Sequence, residues 1–326
     1  MKRRTLGKSG FRVSEVGLGC WQLGGDFGPV EDERAQAVLE AADAAGINFW
    51  DTADVYGAGH SESHIARYRD THATDPIVAT KVGRDGDLYP DKYTKERVRR
   101  NIEGSARRLD VESIDLVQLH CVPPDVLEAG DLIAWMDDFQ SDGLIQSWGA
   151  SVETLAEAQF VAKVPGCTSI QLIFNLFRQN AIQDLFPLAV ENDVGIIVRL
   201  PLASGVLAGK MTADQSFAPT DHRHYNRHGE VFSQGETFSG VPFERALEVV
   251  ERMRPWVPGG MTMAQMAIRW ILDQPAVSTV IAGASRPSQV RDNAAAANAA
   301  HLSAKLHKDL AELYKTEVEP HIVVPI

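Results

Sequence analysis

The chain has 326 residues, with 44 acidic and 32 basic side chains for a net charge of −12, and is 44% hydrophobic and 23% charged. That balance excludes a wholly disordered chain and argues against a nucleic-acid or anionic-membrane surface, which would need clustered Lys and Arg. No stretch approaches the about 18 uninterrupted apolar residues of a membrane span, so neither nucleic acid nor a membrane is an expected partner.

Residues 3–13, with Gly7 and Gly10 between short extended pieces, predict a hairpin. Short β-branched runs at 14–18, 47–51, 77–81, 114–120, 145–150, 169–174, 195–200 and 277–282 predict eight strands. Amphipathic stretches predict helices at 32–45, 61–71, 94–109, 126–141, 152–163, 183–192, 243–256, 262–273 and 289–300. Thr94 and Ser61 stand where helix starts are expected, and Gly46 and Gly195 at helix ends or helix–strand junctions.

Strands alternating with helices mean parallel βαβ units, and strand starts fall roughly 25 to 40 residues apart until the last gap. No GxGxxG follows the first strand, and eight units exceed the usual doubly wound sheet. The expected fold is α/β: a (β/α)8 TIM barrel with an N-terminal hairpin, one domain spanning 1–326. A long Gly-containing segment, 201–240, follows the seventh strand and is expected to serve function as a lid.

Three scattered cysteines, Cys20, Cys121 and Cys167, show no CxxC spacing, so disulfide scaffolding and structural zinc are poor readings. The basic start Met1-Lys2-Arg3-Arg4 leads into polar residues 5–14 where a signal peptide needs an apolar core, so the expected location is cytoplasmic.

In such a barrel the reactive groups gather at the C-terminal ends of strands. Asp51, Tyr56, Lys81 and His120 occupy those ends and would converge on one mouth. A Lys cation lowers the pKa of a neighbouring phenol, a carboxylate holds the Lys charged, and a neutral His can hydrogen-bond a substrate oxygen. That set suits protonation of a carbonyl oxygen, but it offers no nucleophile, so the reductant must be a cofactor. Position alone leaves a structural Asp–Lys network as an equal alternative.

The run Phe49-Trp50-Asp51-Thr52-Ala53-Asp54-Val55-Tyr56-Gly57 resembles the signature of the aldo-keto reductase superfamily. Lys81 and His120 fall at the matching later positions. Gly17-Leu18-Gly19-Cys20-Trp21, Pro201-Leu202-Ala203-Ser204-Gly205-Val206-Leu207 and Val280-Ile281-Ala282-Gly283 resemble strand-end segments of the same superfamily.

The resemblance implies hydride transfer between a nicotinamide cofactor and a carbonyl, with Tyr56 as general acid, Lys81 and Asp51 tuning it, and His120 orienting the substrate. It implies that Ser151 and Gln171 bind the nicotinamide carboxamide. Arg199 would stack on the ring, and Leu202, Ser204, Gly205, Leu207 and Lys210 would cross the pyrophosphate. Gly283, Ser285, Arg286, Gln289 and Asn293 would hold the adenosine end. Arg286 beside a helix N-terminus suits a 2′-phosphate, so NADPH is the expected cofactor and NAD the alternative. Trp21 and Cys121 are expected to line the substrate pocket.

Three positions depart from the superfamily pattern: Val152 stands where Asn is common, Gln289 where a second Arg is common, and Arg199 where an aromatic residue is common. Arg199, a cation in place of an aromatic ring, is expected to favour NADPH over NADP+. The His-rich run 222–228 reads as part of the lid rather than a metal site.

The expected activity is reduction of an aldehyde or ketone, sugar-type carbonyls included. The alternatives are an NAD-dependent sugar or cyclitol dehydrogenase, and a cofactor-sensing regulatory subunit, by analogy with potassium-channel β subunits of the superfamily. A Schiff-base aldolase using Lys81 fits poorly, because that Lys would have to be neutral. The oligomeric state is left open.

Overall fold

The computed structural model describes residues 1–25, 27, 28 and 30–325. Ile326, the end of the expected domain span, lies outside them. The strands are β1 (Arg3–Thr5), β2 (Arg12–Ser14), β3 (Val16–Gly19), β4 (Phe49–Asp51), β5 (Ile77–Val82), β6 (Ile114–His120), β7 (Ile145–Ser151), β8 (Ser169–Ile173), β9 (Gly195–Arg199) and β10 (Val277–Gly283). β1 and β2 form an antiparallel hairpin, and β3 to β10 close in chain order into a parallel barrel with helices outside. The fold is the α/β TIM barrel that the sequence pattern predicts.

Strand alternation divides the side chains between two cores. One residue parity of each strand points into the barrel. There Phe49, Ala79, Leu116, Ile197 and Ile281 pack with Leu6 and Val13 of the hairpin segment in a small apolar cluster. The other parity faces the helices, where Trp50, Trp148 and Trp270 are wholly buried in the larger core. Such a ring removes on the order of 200 Å² from water, roughly 5 kcal/mol before entropy is counted.

The hairpin plugs the N-terminal end of the barrel. The Arg4 guanidinium donates to the carbonyls of Leu272 and Val277, each at 2.7 Å, and Nε donates to Glu15 at 2.8 Å. Gly7, at φ +47°, lies so close to β9 that a Cβ would meet the Gly195 nitrogen at 2.4 Å. Two residues further along the inward parity, toward the strand C-termini, the apolar layer gives way to Asp51, Lys81, Gln118 and Gln171, all buried. The closed end of the barrel is dry and the other end is polar.

Several helix bounds differ from expectation for local reasons. The stretch 126–141 is two helices, Pro124–Ala129 and Asp131–Ser141, because Gly130 takes φ +85°. The helix expected from 152 begins at Leu155, where Thr154 and Glu157 form a capping box. Ser61 sits inside the helix His60–Thr71 rather than at its cap, and bonds the Cys20 carbonyl instead. Thr94 does cap Lys95–Leu109 by accepting from the Arg97 N–H. The helix Ala304–Leu313 has no counterpart in the sequence reading. Among the described residues, no helix is long and apolar enough to cross a membrane.

Candidate active site

At the C-terminal end of the barrel lies a cavity of about 810 Å³, and Gly19, Asp51, His120, Ser151, Gln171, Arg199 and Gly283 bring seven different strands to its wall. Lys81, from the remaining strand β5, lies just beneath it and is 1% exposed.

Each donor of the Lys81 ammonium is occupied. Nζ donates to Asp51 Oδ1 at 2.5 Å, to the Thr52 carbonyl at 2.7 Å and to the Tyr56 hydroxyl at 3.2 Å. The second Asp51 oxygen accepts from Gln118 at 3.0 Å and from Gln171 at 2.7 Å, so the carboxylate is locked in place. Burial pulls Lys81 down, but Asp51 and Tyr56 outweigh it and hold the ammonium at about 12.

Tyr56 departs from expectation. Burial pushes its phenol up to about 12, and the opposing pull of Lys81 only limits the rise. Removing the ring from water costs the phenolate more than one cation returns. In the free protein the hydroxyl is therefore a neutral donor. His120 moves the other way: burial first, then the cations Lys81, Arg84 and Arg199, hold it well below the usual imidazole value and keep it neutral.

Trp21 stacks beside Tyr56, with ring centroids 5.8 Å apart. The loops carrying them meet at glycine: Gly57 has φ +59°, and a Cβ there would lie 2.4 Å from the Gly24 carbonyl. His222, from the stretch after β9, packs against Trp21 at 4.8 Å and Phe27 at 4.4 Å, and a β-bridge joins Phe27 to Asp221. The His-rich run is thus partly folded into the wall. Backbone strain gathers here as well: Cys121, Leu200, Ala203 and Ser204, just beyond His120 and Arg199, all have positive φ.

Arg199 is not the lone cation that the sequence suggests. Its Nη1 pairs with Glu236, and Nη2 donates to the Val152 carbonyl at 2.9 Å. With its charge matched by a carboxylate, the reason for expecting it to disfavour NADP+ falls away. Val152 meets Arg199 through its backbone.

The other end of the cavity is basic. Lys210, Arg223 and Arg286 line it, with Leu202, Ser204, Gly205, Ser285 and Gln289 between them. Among the described residues neither Lys210 nor Arg286 has an ion-pair partner, while Arg223 is held by Asp221 at 2.6 Å. The helix Pro287–Ala295 points its N-terminus here, and Gln289 accepts from the Ser285 N–H at 2.9 Å. Leu207 and Asn293 do not line the cavity. Leu207 is 0% exposed in the core, and Asn293 bonds the Gly283 carbonyl from behind.

Trp21 and Cys121 do line it, as expected, and so does Arg223 of the expected lid run, but Arg84, Glu153, Glu236, Phe27 and Phe232 were not foreseen. Arg84 and Glu153 lie a few residues past Lys81 and Ser151, so the strand-end rule extended into the loops would have found them. Cys121, Glu153 and Glu236 could each offer a metal ligand within 4.8 Å of the others. Both carboxylates are already paired with arginines, which disfavours a cation.

A family model for the aldo/keto reductase family matches residues 15–315. The chain belongs to that family. It is an oxidoreductase of the NAD(P)H-using class. It is 30% identical over 325 residues to an uncharacterized oxidoreductase of Bacillus subtilis (strain 168), covering 98% of each chain. Among solved structures it resembles an aldo-keto reductase from Bacillus halodurans in its holo form, at TM-score 0.78 and 26% identity over 98% of this chain and 99% of that one. It also resembles the glycerol dehydrogenase of Gluconobacter oxydans, at TM-score 0.76 and 28% identity over 97% and 94%.

Proposed function

We propose that this aldo-keto reductase uses NADPH to reduce small aldehydes or ketones, sugar-type carbonyls among them, with Tyr56 as proton donor. The observation that carries this reading is the arrangement at Tyr56: its oxygen accepts from a Lys81 fixed by Asp51, and its own proton is left for the cavity.

The residues present fit a nicotinamide dinucleotide. Ser151 Oγ and Gln171 Oε1 face one another at 3.4 Å and would hold the carboxamide, since the Gln171 amide nitrogen is committed to Asp51. Arg199 stands beside them. Lys210, Arg223 and the Gly205 turn would take the diphosphate. Arg286 with Ser285 and Gln289 would take the 2′-phosphate, at a helix N-terminus that favours anions. When bound, the cofactor supplies the hydride.

The chain's own residues do the rest. Neutral His120 and the Tyr56 hydroxyl hydrogen-bond the substrate carbonyl oxygen and polarise it. As negative charge grows on that oxygen, Tyr56 gives up its proton, and the Lys81 ammonium stabilises the phenolate that remains. Asp51 keeps Lys81 charged, and Gln118 and Gln171 keep Asp51 in place. Run in reverse, the same groups would oxidise an alcohol with Tyr56 as base, a direction that the likeness to a glycerol dehydrogenase supports.

A fluorescence titration with NADPH and, separately, NADH tests the reading through the six Trp residues, followed by loss of reduced-nicotinamide absorbance on adding a carbonyl. Tighter NADPH and aldehyde-dependent oxidation are expected. Tighter NADH would shift the reading to an NAD-linked dehydrogenase, and binding of neither would contradict both.

A further inference from the structure

Behind the cavity wall, the helix His60–Thr71 carries a buried ion pair to which the mechanism gives no role. Glu62, in the first turn of that helix, is 0% exposed. One of its oxygens accepts from Arg108 Nε, on the helix Lys95–Leu109, at 2.6 Å, and the other from the Thr80 hydroxyl at 2.5 Å. Thr80 directly precedes Lys81 on β5. By strand alternation Thr80 faces the helices while Lys81 faces the barrel. Arg108 is lodged closely: a Cβ on Gly59 would lie 2.4 Å from its Cδ.

The same helix is joined to the acid. Its first N–H groups donate back into the turn that bears Tyr56: Ser61 to the Tyr56 carbonyl at 3.3 Å, His60 to the Gly57 carbonyl at 3.1 Å and Ser63 to the Gly59 carbonyl at 3.1 Å. The turn satisfies the open end of the helix, so the two form one unit. Ser61 Oγ ties that unit to Cys20 and Thr52, just past β3 and β4, at 2.9 and 2.8 Å. Neither residue is on β5, where Lys81 lies. Glu62 makes that connection, one residue from the ammonium that contacts Tyr56.

We propose that Glu62, held by Arg108, is a positioning residue for proton transfer: by clamping the helix to Thr80 it sets the distance between the Tyr56 hydroxyl and Lys81. This rests on the reductase reading above and adds two residues that act through the acid without touching substrate. A displacement of about 1 Å at a reacting group can cost about a hundredfold in rate. Loss of Arg108 leaves the Glu62 charge buried without its counter-charge, so the helix end must move to find another donor. Glu62→Gln replaces one acceptor oxygen with an N–H2 group that faces a donor.

The test is the single-turnover rate of NADPH oxidation, per NADPH-binding site, on mixing the protein–NADPH complex with propanal, benzaldehyde or glyceraldehyde. Glu62→Gln and Arg108→Met should slow it about tenfold or more while the NADPH dissociation constant stays within about twofold, and Arg108→Lys should recover part of the loss. Arg107→Met removes an exposed charge from the neighbouring position and should leave the rate unchanged. In the slow variants the solvent deuterium isotope effect on the rate should rise, because a misplaced acid makes proton transfer more limiting. A merely structural role would lower the number of NADPH-binding sites and leave the rate per site and the isotope effect unmoved. That result in Arg108→Met, whose side chain is 33% exposed in the wild type, would overturn the proposal even where Glu62→Gln fails to fold. No wild-type turnover of any of the three aldehydes with NADPH or NADH would overturn the reductase reading and the positioning role with it.

Discussion

Lys81 donates to the Tyr56 hydroxyl at 3.2 Å, and its two other contacts, Asp51 at 2.5 Å and the Thr52 carbonyl at 2.7 Å, are shorter. The ammonium is anchored to the barrel and leans on the phenol. Because the Tyr56 oxygen already accepts from Lys81, its own proton is free for an acceptor in the cavity that Tyr56 lines. The pair therefore combines a neutral acid at rest with a cation placed for the phenolate once the proton has left.

Anchoring has a stability consequence. Asp51 and Lys81 are 2% and 1% exposed, so Asp51→Asn would leave a buried ammonium without its counter-charge. Breaking a buried pair from one side costs about 3–5 kcal/mol. Urea denaturation of the variant should show a loss of that order together with lost turnover. A stability within about 1 kcal/mol of wild type would mean that water or Gln118 replaces the carboxylate without cost.

Asp54 predicts a pH effect that is separate from catalysis. Burial, and then Glu62, push its carboxyl up to about 7, and its Oδ2 has no partner. A carboxyl raised in the folded state stabilises below its unfolded value near 3.8, and this contribution is lost as pH rises through 7. Asp54→Asn keeps the neutral shape, so it should gain on the order of a few kcal/mol over wild type at pH 8 and little at pH 4, within the two-state approximation. Melting temperatures measured across that range decide it. An equal difference at both ends would show that Asp54 does not titrate in this window.

Much of this was legible in the sequence because barrels write their pattern locally. Phe49, Trp50 and Asp51 alternate in, out and in, and the strand-end rule then places Asp51, Lys81 and His120 at one mouth. The Arg199–Glu236 pair was not legible, because its members lie 37 residues apart across an irregular stretch where no periodicity links them. Nor was the upward shift of Tyr56, which depends on how far three-dimensional packing dries the ring. Leu207 and Asn293 lie in segments that do reach the cavity, yet their own side chains turn away from it, a matter of local backbone direction.

Arg286 should carry the cofactor preference. It lines the basic end of the cavity beside a helix N-terminus and has no ion-pair partner among the described residues. Arg286→Ala should weaken NADPH binding by about tenfold or more and leave NADH nearly unaffected, because only NADPH carries the extra phosphate. Titrations of both cofactors against both proteins check it, and equal losses would place the 2′-phosphate elsewhere.

The most direct measurement is Tyr56→Phe, assayed for carbonyl reduction and for NADPH binding on the same preparation. The hydroxyl acts in the transition state, so kcat should fall by about two to four orders of magnitude while the NADPH dissociation constant stays within about twofold. A folded Tyr56→Phe protein that binds NADPH and turns over at the wild-type rate would show that the proton comes from another group.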